Sequence, residues 1–305
     1  MVFDLVKFKS VNLLSCSEAM KHVKSTNSPS ALSTELSRIR ESNLRSVMSG
    51  GLRPYSIPKY IATVENNKFV LVMPLFGSNT KSMNVMSLSG MLSARSDLKD
   101  DLRGLGIRTR IDLHPLHVTV TAPIPPLAED LPDINRSYEA GRIIPLSGNL
   151  LPDKLAEHFS SDKYERNVDY MIKNVAACMS PFEIQMTGLI LTSTCVIAVG
   201  TDNGEINNAR TRFISASREQ NILQYMRIPN IIHITLLKFD GRIPAGDNRL
   251  GEVISMVSGY GPKDLGSFKV DSFHTGRDFP TFNDFTLLQE HHFYSNTNIQ
   301  PTPSP

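Results

Sequence analysis

Two apolar runs separated by only three residues, FEIQMTGLIL from Phe182 and CVIAVG from Cys195, restrict the fold of this chain more than any other feature. Both are rich in β-branched and large apolar side chains, and so short a connection makes them an antiparallel hairpin. Strand-like runs arrive in consecutive pairs elsewhere too. YIATVE and KFVLVMPLFG flank a turn at Asn66-Asn67, and SFKVDSF with FTLLQEHHF forms a closing pair. Helical patterns lie between them over residues 87–106, 152–179, 203–227 and 249–259. Paired strands mixed with helices point to an antiparallel α+β protein rather than a doubly wound parallel sheet.

Three stretches differ from this text. Residues 1–56 form an N-terminal helical extension, rich in serine. Its helix is expected to start at Ser28-Pro29, carry Leu32, Leu36, Ile39, Val47 and Met48 on one stripe, and stop at Gly50-Gly51. The extension is either an ordered appendage or a surface that docks a protein partner. Residues 123–150 are proline-rich and read as a long surface loop, a lid or an inert connection. Residues 296–305 read as a flexible tail, which leaves 57–295 as the main domain.

Composition excludes several classes of function. A net charge of +2 argues against a protein held to nucleic acid by bulk electrostatics, while leaving room for a local basic cleft. The three cysteines, Cys16, Cys178 and Cys195, suit neither a disulfide framework nor a zinc knuckle. No apolar run approaches the ~20 residues of a membrane span. The apolar patch at the start is broken by Asp4, Lys7 and Lys9, which makes a poor signal peptide. The expectation is a cytoplasmic protein without a membrane partner.

The chemistry is carried by LHVTV at 116–120 and IHITL at 232–236. Side chains alternate along a strand, so His117 and Thr119 share one face, as do His233 and Thr235. Val118, Val120, Ile234 and Leu236 take the opposite, buried face. With eight histidines, roughly half of one isolated His-x-Thr is expected by chance. Two copies inside apolar strand-like runs are much rarer, and no other histidine has a threonine two residues on. The bland alternative is two structural histidines beside convenient hydroxyls. The functional reading is acid–base work, one imidazole removing a proton from a nucleophile and the other protonating a leaving oxygen. The threonine hydroxyls then donate to the non-bridging oxygens of a phosphate. No metal or other cofactor is expected, because neither HExxH nor CxxC accompanies the motifs.

The pair HVTV and HITL, 116 positions apart (233 minus 117), resembles the 2H phosphoesterase superfamily, named for its two His-x-Thr/Ser motifs. KFVLVMPL is similar to that family's opening strand, PFEIQMTGLIL to its mid-chain strand, and FKVDSF with FTLLQEHHF to its closing strands. The resemblance covers residues 57 to 295. It implies a bilobal α+β fold, with two antiparallel sheets related by pseudo-twofold symmetry around a central cleft and helices at the flanks. It also implies a metal-independent phosphodiesterase acting on 2′,3′-cyclic phosphates, 2′-5′ linkages or related nucleotide esters, and the near-neutral charge favours a small nucleotide or short RNA as the substrate. Carried over by position, His117 and His233 are the catalytic pair and Thr119 and Thr235 the phosphate binders. Which histidine is base and which acid stays open. The alternative is a non-catalytic nucleotide-binding module whose N-terminal extension docks a partner.

Other residues are secondary candidates. Thr121 continues the His117–Thr119 alternation and could extend the polar wall. Lys238 is a candidate phosphate contact, but alternation turns it away from Thr235 unless the strand bulges. His114 reads as a turn histidine, and Tyr225 and Phe76 as core or base-stacking aromatics. EHHF at 290–293 invites a metal reading, against which adjacent strand histidines face opposite ways. Arg210, Arg212 and Arg218 either face solvent or reach substrate, and the solvated helix face is the favoured reading.

Overall fold

The computed structural model describes residues 29–55, 68–72, 88–110, 116–123, 143–145, 162–219, 225–227, 229, 231–278 and 285–293. In chain order these form α1 (Pro29–Gly50), β1 (Lys68–Val72), α2 (Ser89–Gly104), β2 (Thr109–Arg110), β3 (Val118–Pro123), β4 (Ile143–Pro145), α3 (Asp162–Ala177) and β5 (Phe182–Leu191). There follow β6 (Cys195–Thr201), α4 (Glu205–Glu219), β7 (Tyr225–Arg227), β8 (Ile232–Phe239), α5 (Asn248–Ser258), β9 (Gly266–Val270), β10 (Ser272–Asp278) and β11 (Phe285–His292). The strands make two sheets, one ordered β11-β10-β1-β3-β7-β4 and the other β2-β8-β6-β5-β9. Among the described residues every strand pairing is antiparallel, as the consecutive strand runs predict.

The sheets are not the two halves of the sequence. Thr109–Arg110 and Val118–Pro123, near neighbours in the sequence, join different sheets, β2 the five-stranded one and β3 the six-stranded one. SFKVDSF divides in the same way at Asp271 into β9 and β10. Alternation reports which face a residue takes, not which sheet a strand joins, so these crossings leave no periodic signal. Two further expectations are corrected. Tyr225–Arg227, read as the end of a helix, is a strand between β3 and β4, and part of the proline-rich segment supplies β4 itself. YIATVE, Phe76, His114, Cys16 and the 296–305 tail lie outside the described residues.

Strand β6 shows how the five-stranded sheet is buried. Its continuous apolar run lies between β8 and β5, and alternate residues enter two different clusters. Val196 and Ala198 join Ile234 and Leu237 in the main core, which also receives Met91, Leu98 and Leu102 of α2 and Val253 and Val257 of α5. Cys195, Ile197 and Val199 face the other way and pack with Ile190, Ile231 and Leu36 of α1. The six-stranded sheet is backed by α3 and α4.

Helix α1 is joined to this body through its C-terminal end. Leu52 and Ile243 exchange backbone hydrogen bonds of 2.8 and 2.9 Å, Arg53 donates to Ser193 O, and Tyr55 donates to Phe239 O. Val47 and Leu52 are fully buried in the main core. Burial of such side chains is worth about 1.5–3 kcal/mol each, enough to hold a helix that would be marginal alone. Among the described residues no helix is long and apolar enough to cross a membrane.

Candidate active site

The first motif lies at the start of β3. Val118 and Val120 are fully buried, while His117, immediately before the strand, and Thr119 are half-buried. The second lies in β8, where Ile232, Ile234 and Leu236 are buried and His233 and Thr235 half-buried. Each strand therefore gives one side to the core and shows an imidazole and a hydroxyl on the other. The motifs belong to different sheets, yet β3 and β8 run close together.

Both strands are irregular one residue beyond the motif threonine. Against β6, Thr235 pairs with Ile197 and Leu237 with Val196, leaving Leu236 as the extra residue of a bulge. Against β1, Thr119 pairs with Leu71 and Thr121 with Val70, leaving Val120 as the extra residue. A bulge reverses the alternation that follows it, and this changes two expectations. Val118 pairs with Val72 and Thr121 with Val70, so Thr121 stands on Val118's face, opposite Thr119, and is 1% exposed. It does not extend the polar wall. On β8 the outcome is reversed: His233, Thr235 and Lys238 pair with Val199, Ile197 and Cys195, so Lys238 shares the motif face after all. Its ammonium is buried over the Tyr55 ring, 4.2 Å from the centroid.

The same face of β5 and β6 is covered by α1. Leu36, Ile39 and Tyr55 lie against Ile190, Cys195, Ile197 and Val199. Over Gly188 of β5, which pairs with Val199, sits the guanidinium of Arg40. Burial lowers the pKa of that guanidinium. The N-terminal helix thus borders the surface that carries the second motif.

Arg210 contradicts its expected solvent exposure. It is 1% exposed and reaches from α4 to the backbone of both motif segments. Its Nε donates to Val120 O at 3.1 Å, and its Nη2 donates to Thr119 O and Ile231 O, each at 3.3 Å. Desolvation pushes its pKa down to about 10, against an upward pull from Asp202. The missed signal was helical spacing: Ile206, Ala209, Phe213 and Ile214 are buried on α4, and Arg210 falls within that stripe. Arg212 behaves as expected, donating to Asn208 in an exposed pair. The Arg218 side chain lies outside the described residues.

The six-stranded sheet carries further polar groups on the Thr119 face. Leu71 pairs with both Thr119 and His274, and His274 pairs with Glu290. Glu290 Oε1 accepts from Ser272 Oγ at 2.8 Å and lies 3.8 Å from ring nitrogens of both His274 and His292. In the EHHF run, His291 is buried and His292 exposed, as opposite-facing neighbours should be. Among the described residues no group of three or more His, Cys, Asp or Glu is placed to hold a metal.

No family model matches the sequence, and no curated protein does. Three solved structures follow a similar course of chain. TT0787 of Thermus thermophilus has 15% identity, covers 74% of this chain and 97% of its own, and gives a TM-score of 0.41. Usb1 of Kluyveromyces marxianus has 10% identity, coverages of 74% and 98%, and a TM-score of 0.37. ATU0111, a conserved protein of unknown function from Agrobacterium tumefaciens str. C58, has 13% identity, coverages of 80% and 96%, and a TM-score of 0.41. At these TM-scores and identities the likeness assigns neither a family nor a chemistry to this chain.

Proposed function

We propose that this protein is a metal-independent phosphodiesterase of the 2H type, hydrolysing a cyclic phosphate or a 2′-5′ phosphodiester of a nucleotide or short oligonucleotide. The observation that supports it most is the presentation of two half-buried His-x-Thr pairs by neighbouring strands of different sheets. In the hydrolysis, one imidazole takes a proton from water as its oxygen bonds to phosphorus. The other gives a proton to the ribose oxygen as the P–O bond breaks, so protons and charge balance across the pair. Thr119 and Thr235 donate to the non-bridging oxygens, whose charge grows in the transition state. The matched bulges after both threonines favour a pseudo-twofold relation of the motifs. Lys238 is left out of the phosphate contacts because Tyr55 engages its ammonium.

The near-neutral net charge favours a small substrate over long RNA. The test is a panel of 2′,3′-cyclic nucleotides and 2′-5′ dinucleotides, incubated with the protein in EDTA and resolved by product isomer. Turnover by the wild type, lost in the His117→Ala/His233→Ala double variant, is expected. Equal absence of turnover in both proteins across the panel overturns the reading.

A further inference from the structure

We infer that Arg210 is a positioning residue for this chemistry: it fixes the distance between the two His-x-Thr pairs. The inference rests on the phosphodiesterase reading for its catalytic consequence, but not for its geometry. A β-bulge disrupts the ladder locally, and the carbonyls of Thr119 and Val120 at the β3 bulge are both taken by Arg210. The third carbonyl, that of Ile231, precedes His233 by two residues and leads into the other sheet. One nitrogen, Nη2, bonds Thr119 O and Ile231 O at once, so these oxygens are at most twice 3.3 Å apart.

The guanidinium is planar, so its donors hold all three acceptors in one rigid frame. The frame is anchored on α4 by Nη1, which donates to Asn207 Oδ1 at 3.2 Å. Two effects follow. The first is mechanical, since a displacement of about 1 Å between reacting groups can cost roughly 10²-fold in rate. The second is electrostatic: three carbonyl oxygens beside the motifs are held against a positive charge, instead of standing bare near a bound anion.

Lysine keeps the charge but has no planar fork, so Arg210→Lys separates fit from charge. The expected result is a kcat lower by roughly 10- to 100-fold with KM changed less than about threefold. Asn207→Ala, which loosens the anchor and leaves the arginine in place, should lower kcat several-fold with little change in melting temperature. A ligand-free readout accompanies these: the ring resonances of His117 and His233 should both move in Arg210→Lys and Asn207→Ala, while those of exposed His292 stay fixed. Folded variants with wild-type kcat and unmoved rings overturn the inference. If Arg210→Lys does not fold, Asn207→Ala decides. If the wild type turns over nothing on the panel, the phosphodiesterase reading falls by itself, and the ring resonances alone decide whether Arg210 positions the motifs.

Discussion

Alanine at either His117 or His233 is expected to lower kcat by roughly 10²- to 10⁴-fold, the usual weight of a positioned acid or base. The double variant should lose little more than the worse single one, because the two imidazoles act as a unit and removal of one strands the other. Both rings are half-buried at the edge of the core, so the folded state should survive and the melting temperature stay near that of the wild type. Thr119→Ala and Thr235→Ala should each cost up to roughly 10²-fold, as loss of one oxyanion donor does. Steady-state kinetics on whichever panel substrate the wild type consumes measures all four. Single histidine variants that retain most of their activity would show that the rings are structural.

The second large effect is expected at Gly51. This residue ends α1 with φ at 71°, and a Cβ there would run into the carbonyl oxygen of Ile243 and lie 2.9 Å from Ala245 N. Valine would add left-handed strain to an overlap with backbone that cannot swing aside. A cost of about 3 kcal/mol follows, a large part of a typical domain stability of roughly 5–15 kcal/mol. The loss should show as a lower denaturant midpoint. It should also reduce turnover, because the Leu52–Ile243 pairing carries Tyr55 to Lys238 and seats α1 beside the second motif. Gly50 is the control: nothing among the described residues lies within 4 Å of a Cβ there, so Gly50→Ala should be neutral or slightly stabilising. Equal stability of Gly51→Val and the wild type would mean that the α1 junction tolerates displacement.

These two sites also mark what can be read from sequence and what cannot. The His-x-Thr strands were legible because alternation is local: Val118, Val120, Ile234 and Leu236 are buried, and the motif residues between them are not. The end of α1 was legible as well, since paired glycines after an apolar stripe stop a helix. The fates of Thr121 and Lys238 were not. Each depends on a one-residue bulge, and a bulge is a property of two strands, Thr119 against Leu71 or Thr235 against Ile197. Nothing in HVTVTA or HITLLK records the register of the partner. Tyr225–Arg227 failed for a related reason: its helix-compatible composition was overruled by pairing with Pro123 and Ile143 and their neighbours in distant parts of the chain. Arg210 lies between these cases, since helical spacing puts it in the buried stripe and its charge argued for the surface.

The most direct measurement follows both imidazoles while one anion binds. Protein carrying isotope-labelled histidine is titrated with a nucleoside 2′- or 3′-monophosphate, and the ring resonances of His117 and His233 are recorded. The two residues from separate sheets should respond together, along one binding curve. Response of a single ring, or two curves with different midpoints, would mean that the motifs do not share a phosphate.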